Sequence, residues 1–321
     1  MDDTADLQSV EAFVLLQEAW PDVAGRPGLT QGRYGEAGNL ELVVPAVDDG
    51  LLVGWFNCDP TDARAGAAVQ RWSGTLRFGR GRRYASADIT QVDGGPDFLE
   101  VVAVTTAGTV RRHVWSPGPG FVDHGDIIGS VATCSGMVQS AVDGSLHVVV
   151  TGLDRQVRLL RAAVDAYPEL TWHVAELGIS GVSAVDAAWH QDHLDVVTVG
   201  ADGSATLWCG AEGTAGRGVG TCVAARLLAP PGRPRLLLTQ QHSGLLAALA
   251  VDAGANEHDD LGTADGFVAA NAQGGGRAEC HVVVRRGQQL WHLRLGESAV
   301  ETSLVAAEVW SAPQTVSVHR G

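Results

Sequence analysis

Residues 32–57 read GRYGEAGNLELVVPAVDDGLLVGWFN. Two apolar runs, LELVV at 40–44 and LLVGWF at 51–56, flank the tripeptide Asp48-Asp49-Gly50, and a glycine-rich segment precedes them. Short Val- and Leu-rich runs joined by an Asp-Gly turn predict a β-hairpin, because glycine adopts the positive φ that tight turns between twisted strands require.

The unit recurs along the chain. LELVV is echoed by LEVVA at 99–103, LHVVV at 146–150 and LDVVT at 194–198, and more loosely by PRLLL at 234–238 and CHVVV at 280–284. Successive copies start 59, 47, 48, 40 and 46 residues apart. Each is followed by a turn (DDG, TAG, ADG, HSG or RRGQ in five of them) and a second run, at 51–56, 110–115, 157–162, 205–208, 245–249 and 290–295. A third, Trp-bearing strand is visible only at 69–72 and 170–174. A period in the forties with several strands per period is the pattern of a propeller blade. The expectation is an all-β protein, a β-propeller of six four-stranded antiparallel blades, with seven as the alternative if the two termini build a composite blade.

A single propeller domain is assigned to residues 29–321, and residues 1–28 form an N-terminal segment. Within it DLQSVEAFVLLQEAW (6–20) reads either as a helix with Leu7, Val10, Val14 and Leu15 on one side, or as a strand that closes the ring. The rival closing strand is TVSVHRG at 315–321. One of them is needed, since an open ring leaves strand edges unpaired.

Composition narrows the function. The chain has 321 residues, 45% of them hydrophobic, and a formal net charge of −15. An acidic chain repels the phosphate backbone, and the RFGRGRR run at 77–83 is the one local basic cluster, so no nucleic-acid partner is expected. Every basic side chain is Arg and none is Lys, which excludes lysine Schiff-base chemistry and the P-loop. Five cysteines, Cys58, Cys134, Cys209, Cys222 and Cys280, are widely spaced and form no C-x-x-C pair, so neither a zinc ribbon nor a redox dithiol is indicated. The N-terminal decapeptide MDDTADLQSV has no basic run ahead of an apolar core, and no stretch is apolar for 18 residues. A cytoplasmic, non-membrane protein with reduced thiols, no cofactor and no metal is expected.

Upstream of each repeat lies another short extended run. One position in it holds Gln31, Gln91, Gln139, Asp186, Arg226 and Asn271, which precede the repeat starts by 9, 8, 7, 8, 8 and 9 residues. The first strand of a propeller blade lines the central channel, so these six predict a polar ring around it; free placement of gaps is the competing explanation.

The stretch from Gly28, GLTQGRYGEAGNLELVVPAVDDGLLVGWFN, resembles the repeat of bacterial lectin-like β-propellers, relatives of tectonin-type and Photorhabdus-type fucose-binding lectins. The first unit matches through Gln31, Gly38, Asn39, Leu40, Glu41 and Trp55, the second in part through Gln91, Leu99, Glu100 and Trp115, and the other four keep only the strand rhythm. The resemblance implies a carbohydrate held between neighbouring blades, an aromatic ring against its apolar face. Trp55, Trp72, Trp115, Trp172, Trp208 and Trp291 are the candidate platforms, with Trp55, Trp115 and Trp208 chosen for the ligand site together with the polar ring. A Trp at the end of a blade strand equally packs between blades as core.

The strand ends VGWFNCD, RHVWSPG, LLRAAVD, TLWCGAE, LAALAVD and WHLRLGE share no common pattern, which argues against a symmetric multivalent lectin and for one specialised site. The alternative is therefore an enzyme or small-molecule binder with one asymmetric pocket at the channel mouth. There Asp186 and Arg226 break the ring's symmetry, and AWHQDHLD (188–195) supplies His190 and His193, which with Asp186 are the catalytic candidates if the protein is an enzyme. As a metal site, two His three apart lack a defined third ligand. NEHDDLG, with His258, Asp259 and Asp260, reads as a further ligand source or a solvated loop. A third reading, a protein-interaction platform on a propeller face, is selected by no motif.

Overall fold

The computed structural model describes residues 9–14, 23–33, 38–59, 71–92, 98–210, 215–230, 234–251, 258–265, 268–272, 280–287 and 289–296. All of its regular structure is strand, arranged as six four-stranded antiparallel sheets. The first described strand is β1 (Ser9–Val14). Blade 1 comprises β2 (Gly28–Gly32), β3 (Asn39–Pro45), β4 (Leu51–Asn57) and β5 (Leu76–Phe78). Blade 2 comprises β6 (Tyr84–Val92), β7 (Phe98–Thr105), β8 (Val110–Ser116) and β9 (Gly120–Ile128). Blade 3 comprises β10 (Val131–Gln139), β11 (Leu146–Gly152), β12 (Val157–Ala162) and β13 (His173–Glu176). Blade 4 comprises β14 (Val182–His190), β15 (His193–Gly200), β16 (Ser204–Trp208) and β17 (Arg217–Thr221). Blade 5 comprises β18 (Ala224–Leu228), β19 (Leu236–Gln240), β20 (Leu245–Ala250) and β21 (His258–Thr263). Blade 6 takes β22 (Val268–Ala272), β23 (Cys280–Arg286) and β24 (Gln289–Gly296), and is completed by β1.

Within the N-terminal segment, Ser9–Val14 is thus a ring-closing strand. Six residues of β1 pair antiparallel with β24, from Ser9 opposite Gly296 to Val14 opposite Trp291. Residues 315–321 lie outside the described residues, and the six sheets account for every described strand without a seventh blade.

The turn chemistry explains the regular rhythm. Gly50, Gly108, Gly203 and Gly244, each at the hairpin between the second and third strands of its blade, have φ of 78°, 80°, 82° and 84°. A side chain costs energy there; blade 3 places Arg155 at the corresponding turn with φ 61°. Outer strands β13 and β17 are largely exposed, which leaves them without an apolar period and explains why few of them are readable from sequence.

The apolar core is divided into six clusters, one per blade junction. Val43, Val53, Ile89 and Val101 meet between blades 1 and 2, Val102, Val110, Val148 and Val150 between 2 and 3, and Val149, Val185 and Val196 between 3 and 4. Val197, Leu207, Leu227 and Leu237 fill the junction of 4 and 5, Leu238, Leu246, Val282 and Leu293 that of 5 and 6, and Leu42, Phe56 and Val283 that of 6 and 1. Successive residues of each second strand face opposite junctions, as the period of two requires.

The first strands form the inner wall, each packed on its two neighbours. They approach closely enough to need glycine: a Cβ on Gly136 (φ 70°) would sit 2.2 Å from the Ala187 nitrogen. Two cavities, of about 370 and about 350 Å³, occupy opposite ends of the axis. Arg226 lines both of them.

Candidate functional site

The second residue of each repeated pentapeptide is polar: Glu41, Glu100, His147, Asp195, Arg235 and His281. All six are buried. Buried charges and imidazoles are costly unless paired, so six in a row of equivalent positions mark a built feature. In blades 1, 2, 3, 4 and 6 the residue two places further on, Val43, Val102, Val149, Val197 or Val283, packs toward the following blade. By the period of two the polar residue faces the same groove.

Blade 5 differs. Its apolar residues are shifted by one, so Leu236 and Leu238 face blade 6 while Leu237 faces blade 4. A one-residue slip turns every side chain over. Arg235 is thereby directed back at blade 4, where Nη1 meets Asp195 Oδ2. The junction of blades 5 and 6 receives Leu236 and the buried Trp291 instead.

The grooves therefore have different chemistry. Between blades 2 and 3, Glu100 is closed off by Arg112, whose Nε and Nη2 donate to its two oxygens at 2.5 and 3.0 Å, and by the Tyr167 hydroxyl at 2.8 Å. Between blades 3 and 4, His147 lies against Trp189, ring centroids 5.4 Å apart. Between blades 6 and 1, His281 Nδ1 is 2.9 Å from His292 Nε2, and His292 packs edge-on against Phe56 and Trp72. Burial pushes His281 down to about 3 and His292 well below the usual imidazole range, so this pair is neutral.

Two grooves keep partly exposed groups beside the buried one. Between blades 1 and 2, Thr30, Glu41 and Trp55 lie directly opposite one another on β2, β3 and β4, and so share one face. Asn39 Nδ2 donates to Glu41 Oε1 at 2.5 Å, and burial outweighs that bond to push the Glu41 carboxyl up to about 8. Trp55 is half-buried. Between blades 4 and 5, the fully buried Asp195 carboxylate is met by Arg235, by the Gly210 N–H at 2.9 Å, by His193 Nε2 at 3.2 Å and by His190 Nδ1 at 3.6 Å. Arg235 Nη1 also lies 3.2 Å from Cys209 Sγ. The side chains of His190 and His193 are 21% and 35% exposed.

The inner ring is not one layer. Gln31, Gln91 and Gln139 pair with the first residue of each repeat, Leu40, Leu99 and Leu146. Gln91 and Gln139 donate from Nε2 to Phe98 O and Gly144 O, both at 2.8 Å, so they brace the hairpin ahead of the second strand. Asp186 and Arg226 sit deeper, opposite Val197 and Leu238. The residue level with Gln139 in blade 4 is Trp189, opposite Leu194. Asn271 is on β22 opposite His281, and its side chain lies outside the described residues.

Asp186 and Arg226 do pair on the axis. Arg226 Nη1 donates to Asp186 Oδ1 at 2.9 Å and Nη2 to Pro27 O at 2.7 Å, while Leu227 N–H donates to Asp186 Oδ2 at 2.7 Å. Arg26 adds bonds from its guanidinium to Val185 O and Ala225 O. Asp88, opposite Val102 as Asp186 is opposite Val197, accepts from Met137 N–H of the following blade at 2.9 Å, as Asp186 does from Leu227. Its carboxyl is raised by burial. Asp88 is hidden in the sequence because it lies three residues before Gln91, off the row of hairpin glutamines.

Of the remaining tryptophans, Trp115 packs in the junction of blades 1 and 2, Trp172 in that of 2 and 3, Trp208 in that of 3 and 4, and Trp72 in that of 6 and 1. These rings serve the packing between blades. His258 and Asp259 begin β21, with side chains outside the described residues, and Asp260 is exposed. His190 and His193, by contrast, converge on Asp195.

No protein-family model matches the sequence, and no curated protein matches it. Solved structures do share the fold. AofleA from Arthrobotrys oligospora gives a TM-score of 0.61 at 9% identity, over 91% of this chain and 88% of that one. The Aleuria aurantia lectin, described as a fungal lectin with a six-bladed β-propeller fold and a novel fucose recognition mode, gives 0.59 at 13%, over 84% and 91%. A Hadza microbial sialidase, Hz136, gives 0.59 at 12%, over 85% of this chain and 66% of that one. At such identities the likeness is one of fold. The chain is a β-propeller, and its fold is lectin-like.

Proposed function

We propose that the protein binds carbohydrate in the groove between blades 1 and 2. The observation that carries this reading is the cross-strand pair of Trp55 and Glu41, a half-buried indole beside a carboxyl held neutral to about pH 8. An indole offers a flat apolar face for the C–H side of a sugar ring, and a neutral carboxyl both donates to and accepts from hydroxyls. The same row in other blades reads Glu100 opposite Val114 and His147 opposite Arg161, so one site per chain is expected, not a multivalent array. The fold shared with a lectin described by its fucose recognition makes fucose the first sugar to test.

The test is a calorimetric titration of the purified chain with methyl fucoside and a panel of monosaccharides and cell-wall glycans. Saturable binding of one ligand per chain, weakened at least about tenfold in Trp55→Ala, supports the reading. Binding that ignores Trp55→Ala, or none to any sugar, overturns it.

A second reading rests on the cavity of about 350 Å³ at one channel mouth, lined by Asp88, Gln91, Gln139, Asp186, Trp189 and Arg226. A concave site with few convergent polar groups suits a small polar molecule. Quenching of Trp189 fluorescence that persists in Trp55→Ala and disappears in Trp189→Phe would favour it over the groove.

A further inference from the structure

We propose that His190, His193 and Asp195 form a zinc site in the groove between blades 4 and 5. One ligand atom from each of the three lies within 4.8 Å of the others. His193 Nδ1 is 3.0 Å from Asp192 Oδ1, and its Nε2 lies 3.2 Å from Asp195 Oδ1. His190 Nδ1 is buried without a hydrogen-bond partner and stands 3.6 Å from Asp195 Oδ2. Two imidazoles and a carboxylate thus converge, an arrangement that a cation between them would hold.

The donor set suits zinc. A tetrahedral zinc with bonds of about 2.0–2.1 Å holds its ligand atoms roughly 3.3 Å apart, a separation within reach of ligand atoms that lie within 4.8 Å of one another, each imidazole facing one oxygen of Asp195. The outer lone pairs of Asp195 are already taken by Gly210 N–H and Arg235, which orient the carboxylate and leave its inner face to the imidazoles. Arg235 also neutralises much of the Asp195 charge. Calcium and magnesium, which depend on several oxygen ligands, are disfavoured, while a metal with affinity for imidazole is not. All three ligands come from the β14–β15 hairpin, and both imidazoles are partly exposed. The fourth position is open to water or to an exogenous donor. The site shares no residue with the Trp55–Glu41 pair, so it stands or falls apart from the carbohydrate reading.

The experiment uses the full chain, stripped with a chelator and titrated with zinc chloride and with cobalt chloride. One equivalent is expected to bind, with the intense visible bands of tetrahedral cobalt and no competition from calcium or magnesium. His193→Ala and His190→Ala should each abolish the bands, and Asp192→Ala should weaken binding about 10–100-fold through the lost outer hydrogen bond. Cys209→Ser should leave binding intact, which separates this site from adventitious thiol binding. Far-UV circular dichroism confirms that each variant is folded. No stoichiometric binding, or cobalt bands that survive in both histidine variants, overturns the proposal.

Discussion

At the scale of single residues, Glu41 shows how burial converts a charge into a pH dependence. Its folded pKa of about 8 stands above the unfolded value of 4.5, so the native state keeps a proton that the unfolded chain releases. Stability from this group is complete below about pH 4.5, declines as pH rises through the window, and is lost above about 8. Gln has the shape of the neutral acid and keeps the oxygen that Asn39 bonds. Glu41→Gln should therefore match the parent near pH 5 and exceed it near pH 9 by a few kcal/mol, at about 1.4 kcal/mol per pKa unit. Urea melts at the two pH values check this; parallel curves would contradict it. Glu41 belongs to the motif readable in the first repeat, yet its burial and its indole neighbour depend on register. Trp115 and Trp208 looked equivalent to Trp55 in sequence, but they stand opposite Leu99 and Val196, on faces that pack into the core.

At the scale of elements, register decides what each groove contains. The repeats LELVV, LEVVA, LHVVV and LDVVT keep their polar second residue in phase, and PRLLL does not, because β19 begins at Leu236 and its apolar residues are displaced by one. That displacement is why Arg235 meets Asp195 and why one groove gathers a carboxylate, a guanidinium and two imidazoles. The register of the inner strands is less legible in sequence than that of the second strands, since the inner wall carries few large apolar residues. The same wall makes a strong prediction. At Gly136, positive φ and the Ala187 backbone both oppose a side chain, so Gly136→Ala should cost about 3 kcal/mol or more. Gly74→Ala, where a Cβ meets nothing within 4 Å, should change stability by less than about 0.5 kcal/mol. Chemical denaturation of the two variants makes the comparison, and equal losses would refute the close-approach argument.

At the scale of the whole molecule, the ring is held by closure and by its axis. β1 supplies the outer strand of blade 6, joining the start of the chain to the last described strand. Deleting residues 1–14 removes that pairing and bares the edge of β24, whose Leu290, Trp291, Leu293 and Leu295 are buried. The truncated chain should melt at least several degrees lower, at about 2–4 °C per kcal/mol, and associate in size-exclusion chromatography. A monomer with an unchanged melting temperature would show that closure contributes little. On the axis, Asp186, Arg226 and Arg26 tie blades 4 and 5 to the segment ahead of blade 1.

The amino-acid sequence by itself determined the propeller, its six hairpins and its turn glycines, because strand period and turn chemistry are local properties written within a few residues. It also carried the six polar second positions in plain view. What those residues meet was decided only by the tertiary structure. A groove is built from two blades whose repeats start 40 to 59 positions apart in sequence, or 240 apart for blades 6 and 1, and a slip of one residue in either blade exchanges the whole set. The convergence of His190, His193, Asp195 and Arg235, and the pairing of Asp186 with Arg226, are products of that packing.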